Sequence, residues 1–148
     1  MRATIDSNIL VYASAGESGE KHRIASELLI KAMSHDVVMT VQALAEYLNV
    51  IRRKHPVHFA AARAQAERWA TTFTIVDTTI AHLLNAADFA LRHRLQFWDS
   101  VIWQAARSAQ ATLFLSEDLQ DGMSLDGMSV LNPFRSENEV RMKALFAD

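Results

Sequence analysis

Four acidic residues, far apart in the chain, sit where a carboxylate can reach a common crevice. Asp6 directly follows the apolar run Arg2–Ile5, and Asp118 comes three residues after the run Leu113–Leu115. Glu46 is the sixth residue of the amphipathic stretch after Val37–Thr40, and Asp99 follows Trp98 at the apparent start of a helical segment. Glu117 and Asp121 share the short loop of Asp118 and compete with it for the fourth place. Like charges within a few ångströms raise one another's pKa and destabilise a fold unless a cation sits among them. A site of oxygen ligands alone suits Mg²⁺ or Mn²⁺, ions that neutralise phosphate charge and activate water, so the chemistry implied is phosphodiester hydrolysis.

Each acid also has a structural alternative. Asp6 can cap the turn toward Ile9–Tyr12, and Asp99 is a good helix N-cap residue, which gains from the helix dipole. Glu117, Asp118 and Asp121 together make an ordinary solvated turn before Gly122. Glu46 has Gln42, Ala43, Asn49 and Val50 at helical spacing, so no basic partner lies on its own face.

The elements that must position these acids alternate. Arg2–Ile5, Val37–Thr40, Phe73–Val76, Thr112–Leu115 and a weaker Met128–Leu131 are short apolar runs of strand length. Between them lie helical patterns at Lys21–Ser34, Val41–Lys54, from Pro56 to about Thr72, Ile80–His93 and Asp99–Ala109. Strands separated by helices predict parallel crossovers and a sheet covered on both faces, and such sheets bind ligands beyond the carboxyl ends of their strands. The expected fold class is α/β and helix-rich. Ser136 with Glu139 predicts a capping box opening a terminal helix through Val140, Met142, Leu145 and Phe146.

Composition bounds the rest. The 148 residues suffice for one domain with its own core, since 50% are hydrophobic and only four are Gly and two Pro. There is no Cys, which removes disulfides, thiolate metal sites and a thiol nucleophile, and suits a reducing compartment. No apolar run reaches the 18 residues of a membrane span, so a cytoplasmic location is expected. A net charge of −2 gives no global attraction for nucleic acid, although 11 of the 15 basic residues are Arg. The six His form no metal-binding pattern.

The segments TIDSNILVYA, QALAEYLNVI, QFWDSVIWQAA and LFLSEDLQDG, with VLNPF after them, resemble PIN-domain ribonucleases in order and spacing over about residues 2–134. The likeness is greatest to the short VapC-like toxins of type II toxin–antitoxin pairs. It implies a three-layer α/β/α fold with a parallel sheet of four or five strands, and residues 135–148 become a helical extension of the same domain. It matches Asp6, Glu46, Asp99 and Asp118 to the family's acidic quartet around one or two Mg²⁺ or Mn²⁺ ions. Asp6 and Asp99 are then direct ligands, Glu46 orients a water, and Asp118 serves a second ion or its waters. Ser7, Asn8 and Ser116 match accessory polar positions, with Ser116 bonding a carboxylate or a substrate phosphate. An RNA substrate, an inhibiting antitoxin and a homodimer are the partners the resemblance implies. Neither the RNA nor its cleavage site can be named from it.

Two basic clusters are candidates for the rim that holds RNA: Arg52, Arg53 and Lys54 after Glu46, and Arg92, His93 and Arg94 before Asp99. Both also end predicted helices, where cations complement the dipole. Among Trp69, Trp98, Trp103, Phe97 and Tyr12, Trp98 beside Asp99 is the first candidate for base stacking. Three other readings compete: a PIN-like RNA-processing nuclease without an antitoxin, a PIN-like domain that binds RNA or protein without cutting, and an aspartate-based phosphatase. The phosphatase needs an acid two positions after Asp6 and finds Asn8.

Overall fold

The computed structural model describes residues 1–147. Six strands, β1 (Ala3–Ile5), β2 (Val37–Thr40), β3 (Thr74–Val76), β4 (Leu113–Leu115), β5 (Ser124–Leu125) and β6 (Met128–Leu131), form one sheet in the order β3-β2-β1-β4-β6-β5. All neighbours pair in parallel except β5 with β6. The helices are α1 (Ser7–Tyr12), α2 (Glu20–Ala32), α3 (Val41–Lys54), α4 (Phe59–Thr72), α5 (Ile80–His93), α6 (Phe97–Ser108) and α7 (Glu139–Leu145).

The strands alternate between two cores with period two. Ala3, Ile5, Val37, Met39, Leu113, Leu115 and Leu131 face a cluster shared with α1, α2, α3 and α4. Val38, Phe114, Met128 and Val130 face a second cluster, where α5 and α6 supply Phe89, Ile102 and Trp103. This is the three-layer arrangement expected of runs apolar on both faces. Thr4 and Thr40 are buried polar residues of β1 and β2, and the Thr4 hydroxyl donates to Val38 O at 3.0 Å. Burying a large apolar side chain contributes about 1.5–3 kcal/mol, so fully buried Trp103 and Phe114 anchor the second cluster.

Several local expectations need correction. The sheet has a sixth strand, the antiparallel β5, joined to β6 by Asp126 and Gly127 at φ 48° and 80°. Two successive positive φ angles make a primed hairpin turn, for which Asp-Gly is the favoured pair. The predicted capping box does not form, since Ser136 lies in a 3-10 turn with its hydroxyl 3.3 Å from Glu137 Oε2, and α7 starts at Glu139. Met142 and Leu145 pack on the first cluster and Phe146 is buried in it, edge-on to His35 at 5.2 Å. Asp148, the end of the expected extension, lies outside the described residues.

Candidate active site

From β1 the chain runs to β2 and β3 on one side, then returns to β4 on the other, so the strand order reverses between β1 and β4. At such a reversal the connections leave in opposite directions and open a crevice beyond the strand ends. Asp6 and Ser116 are the first residues past these two strands. Asp6 N donates to Leu115 O at 2.9 Å, which locks the two strand ends together.

Asp6 is both the N-cap of α1 and the floor of the crevice. One carboxylate oxygen accepts from Ser7 N at 2.7 Å, and the other accepts from Ser116 Oγ at 2.6 Å and Asn8 Nδ2 at 3.3 Å. Capping and crevice roles are therefore not exclusive. Ser116 Oγ also accepts from Asp118 N at 3.1 Å, so one hydroxyl sets the register of the loop that carries Asp118. Thr40 caps α3 through Ala43 N at 3.1 Å, and Glu46 comes less than two turns later. Asp99 is not the N-cap of α6, as one expectation had it. Gln96 takes that place, and Asp99 is buried in the first turn at 8% exposure.

Burial and the charge of the other acids raise three of these carboxyls above their ordinary values. Asp6 is raised to about 7, first by burial and then by the charges of Asp99 and Asp118, against the lowering hydrogen bonds of Ser116 and Ser7. Glu46 is raised to about 7 by burial and by the charges of Asp6 and Asp118. Asp99 is raised to about 6 by burial, then by Glu46 and Asp118.

The loop acids separate. Glu117 is engaged by Lys21, and Asp121 accepts from Asn132 N and Asn138 Nδ2, both at 2.8 Å. Of the three, exposed Asp118 is the one whose charge acts on Asp6, Glu46 and Asp99. Neighbouring side chains of a turn diverge, which spacing alone does not resolve.

Two buried acceptors, Glu46 Oε2 and Asn8 Oδ1, have no hydrogen-bond partner. An orphaned buried acceptor costs about 1–3 kcal/mol, and beside three raised carboxylates a hard cation would satisfy it. The donor set thus fits Mg²⁺ or Mn²⁺. As they stand, no three acidic or histidine side chains among the described residues converge tightly enough to enclose an ion.

The rim candidates divide. Lys54, a rim candidate, is held by Glu17 at 2.7 Å. Arg52 and Arg53 lie in the last turn of α3, and Arg92 in the last turn of α5, with Arg94 as that helix's left-handed cap. None of these four arginines joins an ion pair among the described residues. Of the aromatics, Trp69 and Trp103 are core, Tyr12 packs edge-on to Phe134, and Phe97 and Trp98 stay exposed.

The family model for the PIN domain matches residues 3–120. The chain belongs to the PIN domain family. Among solved structures, this PIN domain is similar to Mycobacterium tuberculosis VapC20, a toxin that cleaves the sarcin–ricin loop. The two share 20% identity and a TM-score of 0.64 over 78% of this chain and 89% of that one. A chain of a Klebsiella pneumoniae toxin–antitoxin complex is 17% identical, with a TM-score of 0.66 over 90% and 98%. The Rickettsia felis VapBC2 structure, bound to a fragment of its promoter DNA, is 13% identical, with a TM-score of 0.63 over 89% and 98%. At these identities the likeness establishes the fold. No curated protein matches the sequence.

Proposed function

We propose that this PIN domain is a divalent-metal-dependent endoribonuclease, a phosphodiester hydrolase acting as the toxin of a toxin–antitoxin pair. The observation that carries the reading is the crevice between β1 and β4, where Asp6, Glu46, Asp99 and Asp118 act on one another with no basic side chain among them. A binding module gains nothing from buried carboxylates beside a phosphate chain. Nor does the crevice suit the phosphatase alternative, because Asn8 donates to Asp6 and carries no proton to give a leaving group.

Asp6 and Asp99 are assigned as direct metal ligands, with Asp118 at the exposed lip for a second ion or its waters. When bound, the ion supplies charge neutralisation at the scissile phosphate and a more acidic water. Ser116 and Ser7 hold the Asp6 carboxylate in one orientation, leaving little to reorganise. Glu46, half-buried and within reach of the Asp6 charge, would orient the attacking water.

The partners follow from the surface and from the toxin–antitoxin neighbours. A groove of about 370 Å³ between α2, α3 and α4, with Leu29, Ile30, Met33, Tyr47, Ile51 and Trp69 in its walls, is the seat we assign to an antitoxin segment. For a second copy we assign the outer face of α5, where Ile80, Leu84 and Leu91 are 71%, 62% and 82% exposed. An antiparallel two-fold pairing of α5 that sets Ile80 against Leu91 also sets Leu84 against Ala87 and Asp77 against Arg94. A cytoplasmic site of action accords with this reading, and no helix among the described residues is long and apolar enough to cross a membrane.

The test is cleavage of single-stranded RNA by rigorously purified protein. Activity is expected to vanish in excess chelator and return with Mg²⁺ or Mn²⁺, and Asp6→Asn and Asp99→Asn are each expected to lose on the order of a hundred-fold or more. Undiminished cleavage in chelator would sink the mechanism.

A further inference from the structure

We propose that Trp98, backed by Phe97, is a base-stacking shelf at the mouth of the crevice that holds an unpaired RNA base next to the scissile phosphate; the proposal rests on the nuclease reading above. The argument starts from the way α6 is buried. Residues four and seven positions apart share a helix face, so Trp98, Ile102 and Ala105 form one stripe. Ile102 and Ala105 are 0% exposed, whereas Trp98 is 48% exposed. The same holds for Phe97, 38% exposed, and Val101 one turn on, 0% exposed. These aromatics therefore do not lie on an outer face of the protein. They are exposed because the first turn of α6 projects past the packed layers, at the end where Asp99 enters the crevice.

Their chemistry fits a nucleobase. An indole and a phenyl ring pack on each other with centroids 5.1 Å apart and planes tilted by 57°, so each steadies the other while open ring surface remains. Trp98 and Asp99 do not share a helix face, but both lie in the first turn of α6, the end opposite Ala109, whose carbonyl Arg2 holds at the start of β1, so the ring flanks the carboxyl end of the sheet where Asp6 and Ser116 lie. A strand whose phosphate reaches the acids thus brings a neighbouring base to the ring. Stacking tolerates any base but requires that it be unpaired, so the shelf selects single strands and loops over duplex without choosing a sequence.

The other two tryptophans, Trp69 and Trp103, are 7% and 0% exposed, so solvent-exposed indole emission reports Trp98 alone. Rapid mixing of the Mg²⁺-supplemented protein with a single-stranded oligoribonucleotide should quench that emission before cleavage. An abasic strand of equal length, which keeps the phosphates, should not. Trp98→Phe should abolish the quench and leave KM within about two-fold, while Trp98→Ala should raise KM about ten-fold with kcat little changed. Equal quenching by the abasic strand, or an unchanged KM in a folded Trp98→Ala that still cuts, overturns the shelf. So does an emission that changes on dilution without RNA, which would place Trp98 in a contact between copies. Base-dependent quenching without any cleavage would keep the shelf and remove the nuclease reading, whereas absence of both removes both.

Discussion

Two groups of carboxylates supplied by distant parts of the chain meet opposite fates. In the segment after β4, Asp121 accepts two hydrogen bonds at 2.8 Å, from Asn132 N and from buried Asn138, and Arg135 approaches at 3.9 Å. Glu117 has Lys21, whose ammonium also sits over the rings of Tyr12 and Phe134. These acids hold the C-terminal segment to the domain. Asp6 and Asp99 are buried and Glu46 is half-buried, and burial with the charge of the other acids raises all three to between about 6 and 7. A paired acid adds stability, whereas an acid buried among acids subtracts it. The difference teaches that the crevice is kept for something other than folding.

The comparison is tested most severely by stability. Asp121→Ala leaves Asn132 N and the Asn138 amide, 6% exposed, without their acceptor. The expected loss is about 2 kcal/mol, a fall of roughly 4–8 °C in Tm for a domain of this length, with metal-dependent cleavage kept within a few-fold below the transition. Asp99→Asn should do the reverse: activity is lost while the metal-free protein gains on the order of 1 kcal/mol, because one member of a repelling set is neutralised. Thermal unfolding of both variants in chelator checks this pair. If both variants melt lower than wild type, the two groups of acids are alike and the distinction fails.

The pH dependence is a smaller effect of the same cause. A carboxyl whose folded pKa lies above its unfolded value favours folding while protonated, and that contribution is lost as pH rises through the folded pKa. For Asp6, Glu46 and Asp99 the window runs from about pH 4 to about pH 7. Acids with lowered values, such as Glu17, act only below this range. In chelator, Tm should therefore decline across the window, and less steeply in Asp99→Asn. Mg²⁺ should reverse the decline and stabilise wild type more than the variant. A Tm that rises with pH in chelator would mean that the crevice acids are not crowded.

Much of this was legible in the sequence, for identifiable reasons. β1, β2 and β4 are covered on both faces, so they stand out as unbroken apolar runs, and the strand ends then locate Asp6 and Asp118. α1 escaped because Ile9, Leu10 and Val11 are consecutive buried residues without helical periodicity, although Asp6, a favoured N-cap residue, preceded them. β5 has only two residues, and the Asp126-Gly127 turn beside it was the available signal. At the site, spacing indicated which elements supply acids but not where side chains turn. Glu117 and Asp118 differ by one position, and only the packing against Lys21 tells them apart. The unpartnered oxygens of Asn8 and Glu46 have no sequence signature, because they are defined by what surrounds them.

The smallest effect tests the paired-against-unpaired distinction on cations. Lys54 and Arg53 are chain neighbours at the end of α3, yet Lys54 Nζ lies 2.7 Å from Glu17, which also takes His55 at 3.1 Å. The hydrogen bond from Lys54 is the main reason that Glu17 is lowered. Exposed pairs of this kind contribute about 0.2–1 kcal/mol, so Lys54→Gln should change Tm by no more than a few degrees. A cation already committed to a carboxylate has little to offer a phosphate, while Arg52 and Arg53 keep their full charge for one. Each side chain that neutralises a phosphate adds about 0.7 to the slope of log affinity against log salt for a single strand. Arg52→Gln with Arg53→Gln should therefore flatten the slope for RNA binding by roughly 1 to 1.5, and Lys54→Gln should leave it unchanged. Binding of Mn²⁺ to the crevice should be the same in all three, because these residues lie two turns beyond Glu46 on α3. If the arginine pair leaves the slope intact, these cations serve the helix dipole, and the rim that carries RNA lies with Arg92 in the last turn of α5.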